Sequence, residues 1–251
     1  MFKIRINFRV AIALAKREFL KYIRNKSRII TSMFQSLMFL GIFGMVGNVS
    51  LISAGLISQA ILFSGIFAGF SIIQDKMLGF HKEIMVAPIT RTTITLGKAL
   101  GGTIIASIQG IILLSLTSLL GVFGYDLILL LRILAALPAI LLISFMVVSL
   151  GNLLSVKMND FHKMQFIITF LVMPMFLSSG AIIDFVGTPF YNFTLINPMT
   201  YAVDTMRWIM LYGTPALSVG LPIIIDILII FGLSICFILL AALILRKTEA
   251  I

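Results

Sequence analysis

Few side chains in this 251-residue sequence could perform chemistry, and their spacing does not form a catalytic centre. The two histidines, His81 and His162, lie in separate segments, so a metal site is disfavoured and His81 is expected to face solvent or a partner. The sequence has no His-Glu-x-x-His string, no paired aspartates and no Ser/His arrangement typical of a membrane protease. Cys236 is the single cysteine, which excludes a disulfide within the chain. We therefore expect neither enzyme activity nor a bound metal.

The string that comes nearest to a nucleotide-binding motif is TTITLGKA, at residues 92–99. A Walker A loop needs Gly at its first position and Ser or Thr after the Lys, to bind phosphate and Mg²⁺. Here Thr92 and Ala99 stand at those positions. The chain is therefore predicted to bind no ATP and no other cofactor directly, so that any energy it uses must come from another subunit.

The composition predicts an integral membrane protein. Hydrophobic residues make up 60% of the chain and charged residues only 11%, against about 25% charged residues in soluble proteins. Six apolar runs are long enough for a helix to cross a bilayer about 30 Å thick, namely 29–47, 51–73, 103–123, 133–156, 164–183 and 221–245. Their length and continuity favour helices over barrel strands. The predicted fold is therefore all-α, with six transmembrane helices.

The distribution of basic residues predicts the orientation. All of the Lys and Arg residues except Arg132 and Arg207 lie in the segments 1–28, 74–102, 157–163 and 246–251. Because Lys and Arg concentrate on the cytoplasmic side, both termini are expected there. The net charge of +10 then indicates orientation and attraction to anionic lipid rather than a nucleic-acid site.

An amphipathic helix is expected in the N-terminal segment 1–28. At helical spacing, one arc of residues 8–24 is apolar and the opposite arc is basic, with Arg9, Lys16, Arg17, Lys21 and Arg24. Such a helix lies along the membrane interface, with its cations near lipid phosphates. It anchors the chain, and a further role in transmitting motion stays open.

A long cytoplasmic connection, 74–102, is expected between the second and third spans. Connections between helices usually take about 2 to 8 residues, so this length needs a reason. Apolar residues recur at helical spacing before Pro88, and Thr90 can cap a new helix. The segment is expected to hold a short exposed helix that receives force from a soluble partner.

The outer segment 184–220 is too apolar for a solvated loop and is expected to dip into the membrane or lie against it. Asn197 as cap, Pro198 at the first helical position and Gly213 beyond the end predict a helix of about 15 residues, too short to cross. Asp204 and Arg207 are three residues apart on that helix and can pair, which would lower the cost of placing either near lipid.

Within the spans, the central thirds carry no charged side chain, which disfavours transport driven by an ion gradient. Gly65 and Gly69 allow close helix approach, and packing within the subunit is favoured over a dimer seam. Pro174 should kink the fifth span. The polar residues that could face a passage, or instead form interhelical hydrogen bonds, are Gln59, Ser64, Asn152 and Thr169.

The whole pattern resembles the type-2 ABC-transporter permeases. The string MVAPITRTTITLGKALGG resembles the loop of that family, and LSSGAIIDF and NPMTYAVDTMRWIMLYG resemble its outer C-terminal signature. The resemblance implies coupling residues in and beside the loop, namely Gly79, His81, Glu83, Pro88, Arg91, Gly97 and Lys98. It also implies that the site residues of the outer segment are Asp184, Asn197, Pro198, Tyr201, Asp204 and Arg207. Asp184 stands where the drug-resistance branch commonly has Pro.

The same resemblance implies a single permease domain in the plasma membrane that pairs with a second copy or a paralogue. Two cytoplasmic ABC subunits would bind ATP and Mg²⁺. The outer string is more similar to the daunorubicin-exporter branch than to the polysaccharide branch, which favours export of a hydrophobic or amphipathic compound. Export of a polysaccharide or lipid-linked glycan, and a membrane scaffold without transport, remain alternatives.

Overall fold

The computed structural model describes residues 7–45, 49–79, 89–158, 160–183, 185, 187–211 and 222–248. Within these residues the chain is helical, with no β-strand. The helices are α1 (Phe8–Arg24), α2 (Lys26–Gly44), α3 (Val49–Gly69), α4 (Ser71–Met77), α5 (Arg91–Leu119), α6 (Ile128–Ser155), α7 (Phe161–Ile167), α8 (Met173–Leu177), α9 (Tyr191–Ile196), α10 (Pro198–Met210) and α11 (Ile223–Thr248). The all-α class is confirmed.

Four of the helical segments are long and apolar enough to cross a membrane: Val49–Met77, Arg91–Leu119, Ile128–Ser155 and Ile223–Leu245. They correspond to the second, third, fourth and sixth predicted spans. The first and fifth predicted spans overlap with the shorter apolar helices Ile29–Ile42 and His162–Leu177. The second of these is interrupted by a π-helical turn, Ile168–Val172, directly before α8. The turn lies where Pro174 lacks an N–H group and its ring crowds the preceding turn, as expected for a kink.

Helix α3 forms the centre of the bundle and is buried along nearly all of its length. It is apolar on every side, which is typical of a helix surrounded by other helices. A Cβ at Gly69 would lie 2.6 Å from the Gly151 Cα of α6, and a Cβ at Gly65 would lie 2.8 Å from the Val147 side chain. The Gly65/Gly69 pair therefore packs within the chain, as predicted.

Helix α1 packs along α5 through small residues. A Cβ at Gly97 would lie 2.9 Å from the Ala11 carbonyl oxygen, and one at Gly101 would lie 3.0 Å from the Ala15 Cα. Ala11 and Ala15 are buried, whereas the larger apolar residues of α1, Phe8, Ile12 and Ile23, remain exposed. The predicted apolar arc therefore divides into a small-residue face on α5 and a bulky face that the described part of the chain leaves uncovered.

The connection between the second and third spans is shorter than the predicted 74–102. Helix α4 continues to Met77 and α5 begins at Arg91, so the charged residues Asp75 and Lys98 lie inside helices. Both are buried and paired, which removes the reason for ending a helix at a charge. Thr90 caps α5 as predicted, because its Oγ1 accepts a hydrogen bond from the Thr93 N–H.

Gly79 ends the α4 turn with φ of +80°, a conformation that favours glycine. His81, Glu83 and Pro88 lie outside the described residues, as does the short helix expected around them. In the outer segment, Asn197 caps α10 and Pro198 is its first residue, as predicted. The described helix ends at Met210, and both Gly213 and Asp184 lie outside the described residues.

Candidate functional site

Five charged side chains from three helices meet in a cluster that we call the buried charge cluster. Its members are Arg17, Glu18 and Lys21 of α1, Asp75 of α4 and Lys98 of α5. The Lys98 ammonium donates to Asp75 Oδ2, to Glu18 Oε1 at 3.4 Å and to Ser71 Oγ at 3.3 Å. The cluster therefore fastens α1 to the two helices on either side of segment 80–88.

Burial makes the pairing within this cluster necessary. Lys98 is 1% exposed and Asp75 is fully buried, so neither charge is stabilised by water. The Arg17 guanidinium adds two parallel hydrogen bonds to the Asp75 carboxylate, at 3.1 and 3.2 Å. Removing one partner of a buried ion pair leaves the other charge uncompensated, at a cost of about 3 to 5 kcal/mol. The geometry consequently resists separation of α1, α4 and α5.

Lys76, the neighbour of Asp75, connects α4 to a fourth helix. Its ammonium donates to the carbonyl oxygens of Val156 and Met158, just beyond the C-terminus of α6. A cation at this end of a helix also interacts favourably with the helix dipole. The short helix α4 thus links α1, α5 and α6 immediately before segment 80–88.

A cavity of about 390 Å³ lies between the C-terminal part of α1, helix α2 and the α3–α4 segment. That volume falls within the range of sites for drug-sized ligands. Four side-chain amides and four hydroxyl groups contribute to its lining, together with Ala60, Phe63 and Phe67: Asn25, Gln35, Gln59, Gln74, Tyr22, Thr31, Ser36 and Ser64. None of these described lining residues is charged.

The cavity has an exposed end and a buried end. Asn25 and Thr31, at the junction of α1 and α2, are exposed, whereas Gln59 is only 1% exposed. The Gln59 Oε1 atom accepts no hydrogen bond within the described part of the chain. A buried acceptor without a donor costs about 1 to 3 kcal/mol, so this position favours a bound group that donates a hydrogen bond.

Aromatic rings connect one wall of the cavity to α8. Phe63 packs edge-to-face on Phe176, with ring centroids 6.1 Å apart, and Phe176 packs in the same way on Phe39 at 5.7 Å. Phe176 is 2% exposed. The three rings hold α2, α3 and α8 together, so the aromatic face of Phe63 has a fixed orientation towards the cavity.

At the opposite end of α3, Arg207 of α10 binds backbone carbonyl groups. Its guanidinium donates to the carbonyl oxygens of Gly180 at 2.7 Å, Ala181 at 3.2 Å and Leu51 at 3.4 Å. It thereby joins α10 to the turn after α8 and to the start of α3. Asp204 lies fully buried one turn earlier on α10.

Tyr201 and Asn197 also fasten α10 to its neighbours. The Tyr201 hydroxyl donates to the Leu195 carbonyl oxygen at 2.6 Å. Burial, followed by the negative charges of Asp226 and Asp204, raises the pKa of Tyr201 above its ordinary value, so the hydroxyl keeps its proton at neutral pH. The Asn197 amide donates to the Met175 carbonyl oxygen at 2.6 Å, while its oxygen caps α10.

Comparison with known proteins gives the family. The family model described as "ABC-2 type transporter" matches residues 9–211, which include every described helix except α11 and the first residue of α1. The chain belongs to this ABC-2 type transporter family. Membership makes it a membrane component of a transporter, as the sequence resemblance had indicated.

A curated relative of this ABC-2 type transporter chain is Nodulation protein J of Rhizobium meliloti (strain 1021). The two sequences are 27% identical over 184 residues, which cover 71% of this chain and 67% of the relative. The similarity therefore extends over most of both proteins.

The structure separates the four polar span residues predicted for a transporter passage. Gln59 and Ser64 line the cavity. Asn152 is buried between α5 and α6, with its amide 3.5 Å from the Thr95 carbonyl oxygen, and Thr169 is exposed on the π-helical turn. Only the first two therefore share a site within the described residues.

The structure describes four of the predicted coupling residues. Lys98 belongs to the charge cluster, Gly97 contacts α1, Arg91 begins α5 and Gly79 follows α4. Sequence reasoning missed the partners Glu18 and Asp75 and the cavity residues Tyr22, Gln35 and Gln74. The sequence signal for Glu18 is its position beside the apolar arc of α1. A carboxylate there becomes buried when the arc packs, and it then needs a cation as partner.

The part of the chain that the structure describes contains no cluster of three or more His, Cys, Asp or Glu side chains that could hold a metal ion. Lys98 forms an ion pair with Asp75, Arg207 binds backbone carbonyl groups, and the cavity offers amides and hydroxyls.

Replacing Asn197 with Ala should lower the free energy of unfolding by about 2 kcal/mol. The variant loses the cap of α10, worth about 1 kcal/mol, and its amide bonds to Met175 and Ser178. Unfolding of the purified chain by SDS in mixed micelles measures the change. The exposed Asn192→Ala is the matched control and should unfold like the parent; equal midpoints for all three proteins would contradict the assignment.

Proposed function

We propose that this chain is the membrane subunit of an ATP-driven exporter in the plasma membrane. In this proposal it crosses the membrane six times with both termini in the cytoplasm, and works with a second copy or a paralogue. ATP and Mg²⁺ bind to a partner ABC subunit, and the chain itself binds no cofactor. The whole of 1–251 acts as one permease domain, with 1–28 at the inner interface, 74–102 at the coupling face and 184–220 outside.

The buried charge cluster is the observation that carries this proposal. A cytoplasmic ATPase that contacted segment 80–88 would push on the ends of α4 and α5. Because Asp75 and Lys98 are ion-paired with α1, the push would displace three helices together rather than bend one. Lys76 would pass the displacement to the end of α6. A chain without a Walker A motif of its own needs such a connection to a motor.

The cavity supports a hydrophobic or amphipathic compound as the exported substrate. Its wall combines aromatic rings at Phe63 and Phe67 with uncharged amides and hydroxyls. A compound with an apolar body and a neutral polar group matches that lining. The exposed end, at Asn25 and Thr31, lies at the end of the basic N-terminal segment 1–28, which places it on the cytoplasmic side in this proposal.

Export of a polysaccharide or a lipid-linked glycan is the second candidate. The same aromatic and amide groups, with the Tyr22 ring, also suit the apolar faces and hydroxyls of sugar rings. Vesicles that hold the purified complex can separate the two substrates. ATP-dependent uptake of a fluorescent amphipathic dye favours the first, and uptake of a labelled glycolipid without the dye favours the second.

Co-purification tests the proposal as a whole. A tagged chain extracted from native membranes in mild detergent should retain a protein that contains a Walker A motif. Vesicles with the chain alone should transport nothing when ATP is added, and vesicles with the complex should transport. Recovery of no ATPase would support a scaffold without transport instead, and uptake by the pure chain driven by an ion gradient would contradict the proposal.

Charge reversal beside segment 80–88 should uncouple the motor. Arg91 begins α5, and Glu83 lies within the segment. Arg91→Glu and Glu83→Lys should each lower the stimulation of the partner ATPase by about fivefold, because they weaken docking by roughly 1 kcal/mol, while expression stays unchanged. The exposed Lys163→Glu serves as control. Normal stimulation in both variants would remove these residues from the coupling site.

A further inference from the structure

We infer that the cavity between α1, α2 and α3 is the site that selects the substrate, and that it accepts an uncharged ligand whose hydrogen-bond donor binds Gln59. This inference rests on the proposed transport function and narrows its substrate class. Three observations carry it: the described lining has no charge, Gln59 Oε1 is buried without a partner, and fixed aromatic rings form one wall.

The first observation sets the charge of the ligand. An ion that enters a buried site loses water, which costs several kcal/mol unless a group of opposite sign replaces it. The described lining offers only amides, hydroxyls and apolar groups. The three nearby cations of the charge cluster, Lys98, Arg17 and Lys21, are each ion-paired with the Asp75 carboxylate and so do not serve as partners for a ligand anion. The cavity therefore discriminates against carboxylates and ammonium groups.

The second observation sets a polar contact. Gln59 is 1% exposed, and its Oε1 atom has no donor among the described residues. The hydroxyl of Tyr22, which also lines the cavity, accepts a hydrogen bond from the Gln109 amide at 2.9 Å and makes no hydrogen bond to Gln59 Oε1. A ligand N–H or O–H group at the buried end would satisfy the Gln59 oxygen. The structure thus assigns Gln59 the role of acceptor for a donor on the ligand.

The third observation sets the shape of the remaining part. Phe63 is held by Phe176, and Phe67 lies one turn further along α3 on the same face. Two rings one turn apart make an apolar wall for a flat or aliphatic group. The ligand class that fits is an amphipathic amide, alcohol or similar neutral compound, with its donor at Gln59 and its apolar body on the rings.

The cavity also adjoins the charge cluster at two places. Tyr22 of the cavity lies one turn after Glu18 of the cluster on α1, and Gln74 of the cavity precedes Asp75 of the cluster on α4. A ligand in the cavity therefore contacts α1 and α4, two of the three helices that the charge cluster joins beside segment 80–88. This adjacency predicts that ligands of the cavity alter the partner ATPase rate.

Four naphthalene probes test the selection directly. Ser64→Cys in a Cys236→Ser background places one thiol in the cavity of the full chain, held in lipid nanodiscs. The rate of alkylation by N-ethylmaleimide is measured with increasing 2-naphthamide, N,N-dimethyl-2-naphthamide, 2-naphthoate or 2-(aminomethyl)naphthalene. We expect 2-naphthamide to protect the thiol, its dimethyl analogue to need about tenfold more because it lacks an N–H, and the two charged probes not to protect.

Variants of Gln59 show whether its Oε1 atom recognises the N–H donor of the probe. In Gln59→Leu the two amides should protect at equal concentration, because the acceptor is gone. The exposed Gln165→Leu is the matched control and should keep the tenfold preference. The comparison of probes in the chain that retains Gln59 stands by itself if the Leu variant fails to fold.

Each result is decisive for this inference. Protection by 2-naphthoate equal to that by 2-naphthamide, no protection by 2-naphthamide up to its solubility limit, or an unchanged preference in Gln59→Leu overturns it. The proposed function can fail separately from this inference. If neutral amides protect the thiol but no ATPase co-purifies with the chain, the ligand site is supported and the exporter function is contradicted. If the complex transports in an ATP-dependent way but its cavity binds no neutral amide, the exporter function is supported and the ligand site is contradicted.

Discussion

Lys98→Met is expected to lower the free energy of unfolding by about 3 kcal/mol and to abolish stimulation of the partner ATPase. The substitution removes the ammonium shared by Asp75 and Glu18 but keeps an unbranched apolar side chain in the same space. We expect the lower end of the usual range for a broken buried pair, because Arg17 still binds Asp75. Unfolding by SDS in mixed micelles gives the first quantity, and ATP hydrolysis by the reconstituted complex gives the second.

A second substitution separates structure from coupling. Asp75→Asn combined with Lys98→Met removes one charge of each sign, so the double variant should recover part of the lost stability in a double-mutant cycle. It should not recover ATPase stimulation, because the ionic link between α4 and α5 is absent. Full stimulation in the folded double variant would show that the cluster stabilises the protein without transmitting motion.

Lys163→Met provides the matched control for that cycle. Lys163 pairs with Asp160 at 3.6 Å, and both side chains are largely exposed. Exposed pairs contribute less than about 1 kcal/mol, so this variant should unfold close to the parent. A loss at Lys163 as large as at Lys98 would mean that burial does not explain the effect.

Local features of the fold were predictable from the sequence because local rules decide them. The caps Thr90 and Asn197 satisfy helix N–H groups within three residues, so short strings identify them. The helical state of α1 followed from its 3.6-residue periodicity, whereas its packing on α5 and the pairing of Arg17 and Lys21 with Asp75 did not. The close contact of Gly65 and Gly69 with α6 followed from the space that a missing Cβ leaves, although the partner helix did not.

The charge cluster was not predictable because its members are distant in the sequence. Glu18, Asp75 and Lys98 meet only after α1, α4 and α5 have packed, and sequence patterns assign a charge at the end of an apolar run to the loop. The same reasoning ended the predicted second span at residue 73 and began the predicted third span at residue 103. A charged residue ends a span only when nothing in the fold neutralises it.

The cavity residues were half predictable for a related reason. Gln59, Ser64, Asn152 and Thr169 are all polar groups in apolar runs, yet only Gln59 and Ser64 line the cavity. A helix that is apolar on every side, such as α3, gives no periodicity from which the direction of one polar residue could be inferred. The direction is set by which neighbour packs against each side.

The second large effect is expected at Gly69, where Val should lower the free energy of unfolding by about 3 kcal/mol. The new Cβ would lie 2.6 to 2.8 Å from the Gly151 Cα and carbonyl carbon and the Asn152 nitrogen. These are backbone atoms of α6 and cannot rotate aside as a side chain does, so α3 and α6 must separate. Resistance to SDS and the yield of folded chain measure the loss.

Two matched variants decide whether that contact lies within one chain. Gly151→Val meets Gly69 from the other side, at 3.1 Å from its Cα, and should cost a similar amount, whereas Gly232→Val on α11 has no heavy atom within 4 Å and should cost less than about 1 kcal/mol. A seam between two copies would behave differently, because its loss would depend on protein concentration. If Gly69→Val shifted only the monomer–dimer equilibrium and left monomer unfolding unchanged, the contact of α3 with α6 would not be the one that Gly69 serves.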